Sequence, residues 1–290
     1  MLKLYENLSR EEADTYALVL SSLGLTFFRV KREWAGWSIW VAESAYPIAR
    51  RNIERYRLEN PGLAPPREPE SPARIKRFTA VWVVLILILF YLAAGSGEAF
   101  RSVADSYGAS AREILNGDVY RAATALMLHA TPAHLAGNIA GIALFGTAVC
   151  AIAGAGAGWL MILLTGIIGN LANAVLIRSG HLSVGASTAV FGAVGLLSAY
   201  QFVQKRRIPD RRIKAWLPLA GGLALLGFLG AGAHTDLTAH LFGFAAGIFI
   251  GLVYAKFITV PLRGKYQVLC LAAAVGLLVG SWLWAWGGSA

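Results

Sequence analysis

Long apolar stretches without a single Asp, Glu, Lys or Arg recur along this chain, and they constrain its fold more than any other feature. A helix that crosses a bilayer needs about 17–25 such residues, and each stretch is long enough. Charged residues make up 14% of the chain, whereas ordinary soluble domains contain about 25%. The sequence therefore predicts an all-α polytopic membrane protein with seven spans: Phe78–Gly95, Thr131–Ala153, Gly158–Ile177, Val184–Gln204, Ala215–Gly232, Leu237–Ala255 and Tyr266–Trp286.

Basic residues gather in three segments that all lie on one side of the membrane if the spans alternate in direction. The positive-inside rule makes that side cytoplasmic, so the N-terminus is predicted to be cytoplasmic as well. This role explains the net charge of +10 without a nucleic-acid partner. The three segments contain Arg74, Lys76 and Arg77; Lys205, Arg206, Arg207, Arg211, Arg212 and Lys214; and Lys256, Arg263 and Lys265.

The first 73 residues are predicted to form a separate soluble region. Residues 1–58 have the pattern of a small αββα cytoplasmic domain, whose first helix begins at a capping box formed by Ser9 and Glu12. Two strands follow around a turn at Ala35, and a second helix with a basic outer face completes the domain. Residues 59–73 contain five prolines and are predicted to be a semi-rigid linker.

The membrane core is assigned to residues 74–258, and residues 259–290 add the seventh transmembrane helix. The segment between the first two spans, Ser96–Leu128, alternates charged and apolar side chains, which is typical of a structure embedded at the membrane interface. Cys150 and Cys270 fall inside spans, so no disulfide framework is predicted. Because no zinc-binding spacing of histidine or cysteine occurs either, no metal or other cofactor is expected.

Polar groups interrupt the apolar spans near their predicted outer ends. They are His134 and Asn138 in the second span, Ser187 in the fourth and His240 in the sixth. With the N-terminus inside, all three of these spans begin at the outer face. Because ionisable groups inside a membrane are costly, such residues are functional-site candidates.

Helix caps set the depth of these groups. Thr131, Ser183 and Asp236 are the predicted N-caps of the second, fourth and sixth spans. Ser187 and His240 then each lie four residues inside a helix, roughly 6 Å below the cap. Small residues at four-residue intervals let two helices approach closely in lipid, and such intervals follow His240 at Gly243, Gly247 and Gly251.

A serine hydroxyl beside an imidazole has the chemistry of a nucleophile and its base. His134 and Asn138 share a helical face and can donate hydrogen bonds to an oxyanion, together with the backbone N–H of Ser187. No acidic residue is placed as a third member, so a dyad of Ser187 and His240 is predicted. Taken singly, each residue has a plainer interpretation: a serine bonded to its own helix, or polar side chains that join two helices.

The order and spacing of these residues resemble the motifs of rhomboid intramembrane serine proteases. The resemblance rests on Tyr120-Arg121, on His129, His134 and Asn138 in HATPAHLAGN, on GASTAVFG from Gly185 to Gly192, and on AHLFGFAAG with His240, Gly243 and Gly247.

This resemblance implies a rhomboid-like six-helix core, followed here by a seventh C-terminal transmembrane helix and preceded by the small αββα domain. Ser187 would be the nucleophile and His240 the base, with His134, Asn138 and the Ser187 backbone at the oxyanion. The implied supporting residues are Gly185, Gly243, Gly247, His129 and Arg121. One departure is Thr188, where the family often has glycine, and a β-branched residue there is expected to crowd its surroundings.

The implied reaction is cleavage of transmembrane or juxtamembrane segments of other membrane proteins. The expected partners are transmembrane protein substrates and the lipid bilayer. The expected location is a bacterial inner membrane, with the active site opening to the periplasmic or extracellular side. A polar cavity open to the outside is expected there, with Ala233–Asp236 and the fifth span acting as a gate.

Two other functions compete with proteolysis. A non-catalytic rhomboid-like protein that binds transmembrane clients is one, although such proteins usually lack the serine or the histidine, and both are present here. A transporter is the other, but its polar groups are expected near the bilayer midplane. Asn170 and Asn173 in the third span are the nearest such groups, and we interpret them as interhelical hydrogen-bonding residues.

Overall fold

A computed structural model describes residues 1–25, 28–33, 36–60, 79–178, 182–206, 212–230, 236–258, 262 and 264–287. Most of the predicted linker, the turn residue Ala35 and most of the predicted gate at Ala233–Asp236 lie outside these residues. The chain divides into two compact units, Met1–Ala73 and Arg74–Ala290. Each unit is described by itself.

The first unit has the order βαββα, so the predicted αββα order lacks one strand. Its elements are β1 (Leu2–Leu8), α1 (Arg10–Ser22), β2 (Phe28–Glu33), β3 (Gly36–Val41) and α2 (Tyr46–Glu59). The sheet order is β1-β3-β2, with both pairs antiparallel. Strand β1 was missed because two register shifts interrupt its apolar alternation and because its only partner, β3, is distant in sequence. The predicted capping box of Ser9 and Glu12 is present and opens α1.

The second unit is almost entirely helical, and each predicted span coincides with apolar helix. The long helices are α3 (Thr79–Ala94), a continuous rod of α7 (Pro132–Gly141), a π-helical segment (Ile142–Gly146) and α8 (Thr147–Ala153), α9 (Ala155–Ile177), α10 (Ser187–Arg206), α11 (Leu217–Gly230), α12 (Leu237–Phe257) and α13 (Gly264–Gly287).

Four of these helices are long and apolar enough to cross a membrane: the Pro132–Ala153 rod, α9, α12 and α13. A fifth is counted if α3 and the helix after it, which meet at a bend of 114°, form one span. The more polar α10 and the 14-residue α11 are not among them. The chain is therefore a multi-pass membrane protein of the predicted fold class.

Helices α10 and α12 lie in close backbone contact, and glycine is the reason. A side-chain carbon added to Gly243, Gly247 or Gly251 of α12 would meet the backbone carbonyl oxygen of Thr188, Gly192 or Leu196 of α10, respectively. The two backbones are thus in direct contact at four-residue intervals, as predicted for small residues in lipid. This contact places the first turn of α12 beside the first turn of α10.

The segment between the first two spans has its own structure, as expected. It contains α4 (Gly97–Tyr107), β4 (Ala109–Ser110), α5 (Ala111–Leu115), α6 (Arg121–Thr124) and a 3₁₀ turn at Ala125–Met127. The side chain of Arg121, 8% exposed, donates to the Asp105 carbonyl at 2.7 Å and to the Asp118 carboxylate at 3.1 Å. Strand β4 pairs with β5 (Leu182–Ser183), which directly precedes α10. The segment is therefore attached to the entry of α10.

Candidate active site

Ser187 lies at the first residue of α10, after a turn that only glycine accommodates well. Gly185 has a φ of 120°, a conformation that side chains rarely adopt. A side-chain carbon there would also lie 2.5 Å from the His134 imidazole. The Gly185 N–H donates to the Ala125 carbonyl at 2.9 Å, which fixes the turn to the preceding segment. Gly185 thus allows His134 to approach the turn that carries Ser187.

The predicted cap at Ser183 is wrong, and with it the predicted depth of Ser187. Ser183 belongs to β5, where it pairs with Ala109, and the helix begins only at Ser187. The strand pairing and the glycine turn occupy the residues before Ser187, so the helix starts three residues later than predicted, at Ser187 instead of Val184. Ser187 is consequently not four residues inside a helix.

The other two predicted caps are present. Thr131 Oγ1 accepts the His134 N–H at 3.1 Å, and Pro132 is the first helical residue. Asp236 Oδ1 accepts the Ala239 N–H at 3.0 Å, so His240 lies four residues beyond its cap. These caps orient the first turns of α7 and α12, which carry the predicted polar groups.

Ser187 Oγ and His240 Nε2 are 2.7 Å apart, which is a short hydrogen-bonding distance. His240 is 4% exposed, and the ring of Phe191 lies against its imidazole with the centroids 4.8 Å apart. An unprotonated Nε2 can accept the hydroxyl proton in this arrangement. The sequence predicted the meeting of the two groups but not Phe191, although its spacing of four residues from Ser187 puts both on one helical face.

His134 and Asn138 lie on α7 beside the same turn. Asn138 is 4% exposed, and its Nδ2 has no hydrogen-bond partner among the described residues. A buried amide donor without a partner is costly. It is therefore available to an acceptor that enters the site.

These four polar side chains line a cavity of about 490 Å³. The rest of its wall among the described residues is apolar and includes Phe145, Phe191, Val194 and Leu225. A cavity thus lies at the four predicted residues, but its described lining is mostly apolar, in contrast to the predicted polar cavity, because α7, α10 and α11 contribute hydrocarbon. The sequence analysis did not single out Leu225 or Phe145, since neither stands out in an apolar span.

His129 supports the turn before Ser187 from the inside of the unit. It is completely buried, with Nδ1 3.3 Å from the Met127 carbonyl oxygen and Nε2 accepting the Ala186 N–H at 3.4 Å. Donation by Nδ1 and acceptance by Nε2 describe one neutral tautomer. The imidazole therefore ties the segment before α7 to the residue directly before Ser187.

Thr188 faces away from the cavity and packs between two other helices. It is 2% exposed, and a side-chain carbon at Gly169 of α9 or Gly243 of α12 would lie within 2.9 Å of its Cγ2. The Thr188 side chain therefore packs against α9 and α12 instead of narrowing the cavity. Gly169 and Gly243 on these helices leave room for its methyl group.

The two asparagines of α9 make the hydrogen bonds between segments that were expected of them. Asn170 Nδ2 donates to the Ala122 carbonyl at 2.9 Å, and Asn173 Nδ2 donates to Asp236 Oδ2 at 2.8 Å. The second bond attaches α9 to the cap of the helix that carries His240. It leaves Asp236 Oδ1 to the backbone of α12 and to Thr238.

Replacing Asn173 by alanine is expected to lower the free energy of unfolding by about 1.5–3 kcal/mol, because a hydrogen bond to a charged group is lost. Thermal unfolding of the detergent-solubilised protein would measure this. The matched control is Asn52→Ala, which removes an exposed amide bonded to the Ile48 carbonyl. Equal losses in the two variants would contradict a structural role for the Asn173–Asp236 contact.

No group of three His, Cys, Asp or Glu side chains in the described part of the chain is arranged to hold a metal ion.

Comparison with known proteins identifies the fold. A family model described as the Rhomboid domain matches residues 116–257, which include all four polar side chains of the cavity. The rhomboid protease GluP of Bacillus subtilis is 32% identical over 69% of this chain, and the match covers 40% of the relative. Rhomboid-like protease 3 of Toxoplasma gondii is 30% identical, with 69% of this chain and 79% of the relative covered.

A third relative carries a different kind of name. Inactive rhomboid protein 2 of Homo sapiens is 31% identical over 44% of this chain and 16% of its own length. Relatives with protease names and one named inactive therefore both match this chain. On these matches, the chain belongs to the rhomboid family.

Proposed function

We propose that this chain is a serine endopeptidase that cleaves transmembrane or juxtamembrane segments of other membrane proteins. The observation that carries the proposal is the 2.7 Å contact of Ser187 Oγ with His240 Nε2 in the wall of a cavity. The protease names of the relatives GluP and rhomboid-like protease 3 agree with it.

The proposed reaction begins when His240 Nε2 takes the proton of Ser187 as Oγ attacks the substrate carbonyl carbon. The peptide C–N bond then breaks, and the protonated imidazole gives its proton to the leaving amine. Water, deprotonated by the same imidazole, hydrolyses the acyl-enzyme and restores the serine. His240 thus serves as base and then acid in each half of the reaction.

Charge that develops on the carbonyl oxygen needs donors already in place, and losing one typically costs about 2.7–4 kcal/mol. We assign this role to Asn138 Nδ2, to the His134 side chain and to the backbone N–H of Ser187. Two observations support the assignment. Asn138 Nδ2 is buried without a partner among the described residues, and the Ser187 N–H lies at a helix N-terminus, where backbone donors are unpaired.

The other predicted site residues are assigned supporting roles. His129 and Gly185 hold the turn before Ser187, Arg121 holds the segment between the first two spans, and Gly243 and Gly247 bring α12 against α10.

The substrate is proposed to be a transmembrane helix that unwinds locally, because helical hydrogen bonds protect its peptide bonds. Glycine and proline lower the cost of unwinding, by about 1 and 3 kcal/mol relative to alanine. The mostly apolar cavity suits a segment drawn from the bilayer. Leu225 of α11 forms part of its wall, so the fifth span stays our candidate for the gate.

We further propose a bacterial inner-membrane location with a cytoplasmic N-terminus and a site that opens to the opposite side. The distribution of Lys and Arg between the loops supports this orientation. In this arrangement, residues 1–58 form the cytoplasmic domain, 59–73 the linker, 74–258 the protease core and 259–290 the additional span.

The decisive experiment is incubation of the purified chain in proteoliposomes with a transmembrane substrate that carries glycine and proline near its outer end. The wild type is expected to give two products, with the cut mapped by mass spectrometry, and Ser187→Ala to give none. Binding of the substrate by both proteins without cleavage by either would replace the proposal by the client-binding alternative.

A further inference from the structure

The seventh helix, α13, is held to the rest of its unit near both ends. In its first turn, Gln267 Nε2 donates to the Ala153 carbonyl at 2.7 Å, and Gln267 Oε1 accepts the Ala157 N–H at 3.0 Å. Side-chain carbons at Gly154 or Gly156 would overlap Gln267, so these glycines make room for it. The amide of Gln267 therefore bridges the break between α8 and α9.

Aromatic contacts hold the other end of α13. The ring of Trp282 lies 5.0 Å from that of Phe90 and 5.1 Å from that of Tyr107, and Trp284 lies 5.8 Å from Tyr120. Between these ends, Ala274 is the only buried residue of α13 before Ala285 in the described chain. The middle of α13 therefore stands partly away from the core.

A cavity of about 340 Å³ occupies this space between α3, α9, α13 and the start of α10. All of its lining side chains are hydrophobic, and the indole N–H groups of Trp82 and Trp159 are the hydrogen-bond donors among those side chains. Trp82 is 69% exposed, whereas Trp159 is 9% exposed. Trp159 Nε1 is buried without a hydrogen-bond partner among the described residues. The space is thus a hydrocarbon-lined chamber with one buried donor, the Trp159 N–H, that has no partner among the described residues.

The chamber is continuous with the lipid-facing surface of the protein. Trp82 and Ile86 of α3 line it and are 69% and 43% exposed, while Leu271 and Val275 of α13 line it and are 44% and 52% exposed. Its opening therefore lies between α3 and α13. In a multi-pass membrane protein, a surface of this composition is turned to acyl chains.

Neither water nor vacuum suits this space. Apolar cavities stay dry because water needs about 2–4 polar partners, and an unfilled cavity costs about 24 cal/mol per Å³. In a bilayer, the medium at this opening is the hydrocarbon of the lipid acyl chains. We propose that the chamber binds one acyl chain of a bilayer lipid, with the ester carbonyl accepting the Trp159 N–H.

The position of Trp159 supports this orientation of the acyl chain. It lies one turn into α9, near the end of the span, where lipid ester groups are found. The lining of α9 extends from Ala155 to Leu163, about 12 Å along the helix axis. Beyond Leu163, Ala186 and Ala189 form the wall of the chamber. The methyl end of the acyl chain is therefore placed against the first turn of α10.

The test uses the full chain in proteoliposomes containing phosphatidylethanolamine with a photoactivatable diazirine in one acyl chain. Irradiation is expected to attach lipid to the α9 peptide around Trp159 and Leu163. Ala274→Phe, which places an aromatic ring at the chamber wall, is expected to reduce this labelling at least severalfold. Ala273→Phe is the matched control because Ala273 is the exposed neighbour on the same helix.

Equal labelling of the α9 peptide in the two variants would overturn the proposal, as would labelling confined to the exposed residues of α3 and α13. Trp159→Phe gives an independent measurement that disturbs packing little. If an acyl chain enters the chamber, lipids with brominated acyl chains quench the fluorescence of Trp159. The fraction of the protein's tryptophan fluorescence that these lipids quench is therefore expected to be lower in Trp159→Phe than in the wild type. An unchanged quenched fraction would also count against the site, and neither readout depends on proteolytic activity.

Discussion

Replacing Gly247 by leucine is expected to force α10 and α12 apart and to abolish the contact between Ser187 and His240. The added side-chain carbon would overlap the carbonyl oxygen of Gly192, and it would lie within 3.0 Å of the Gly192 Cα. Both obstacles are backbone atoms, so no rotamer change relieves the overlap. We expect a loss of about 3 kcal/mol or more in the free energy of unfolding, the upper end for overpacking.

Thermal unfolding in detergent, with Gly276→Leu as the matched control, measures this effect. Gly276 lies on α13, where an added side-chain carbon meets nothing within 4 Å. The control therefore introduces the same leucine without the overlap. A Gly247→Leu protein that unfolds at the control temperature would show that the two helices are not fixed by backbone contact.

The regular part of this fold was predictable because lipid imposes simple rules on sequence. Uncharged stretches of sufficient length gave helices at all seven expected places, and glycines at four-residue intervals correctly predicted which face of α12 meets α10. Both signals are local and depend on residue type alone.

The irregular part was not predictable from such signals. Strand β1 and the pairing of β4 with β5 depend on partners far away in sequence. Because Ser183 is in β5, α10 begins at Ser187 instead of the predicted Val184. The place of α13 was also unpredicted. In lipid, the hydrophobic effect does not favour one face of an apolar helix over another. The position of α13 therefore depends on specific contacts, such as those of the Gln267 amide and of the aromatic rings of α13.

The candidate site was predictable in its residues but only partly in its geometry. Ser187, His240, His134 and Asn138 stood out because polar groups are rare in apolar spans, and the structure places all four around one cavity. What the sequence did not reveal is how the site is held. His129 accepts the Ala186 N–H, and the Ala125 carbonyl accepts the Gly185 N–H. Each of these hydrogen bonds joins residues more than 50 positions apart in sequence.

Under the proposed function, replacing His240 by alanine is expected to reduce cleavage of a transmembrane substrate by about 10⁴-fold or more. The His240 imidazole is the base placed within hydrogen-bonding distance of Ser187 Oγ. A serine hydroxyl without such a base is a weak nucleophile. Loss of a single member of such a catalytic unit typically removes most of its rate enhancement. Cleavage rates in proteoliposomes, compared with those of the wild type, measure the effect.

Labelling by a fluorophosphonate separates loss of activation from loss of substrate binding. The reagent is small, and its reaction requires only that Ser187 Oγ displace fluoride from phosphorus. We expect strong labelling of the wild type and none of Ser187→Ala or His240→Ala. His240→Asn is the structural control, because an amide keeps most of the contact with Phe191 but cannot act as a base near neutral pH. Labelling of His240→Asn at the wild-type rate would show that Ser187 does not depend on this imidazole.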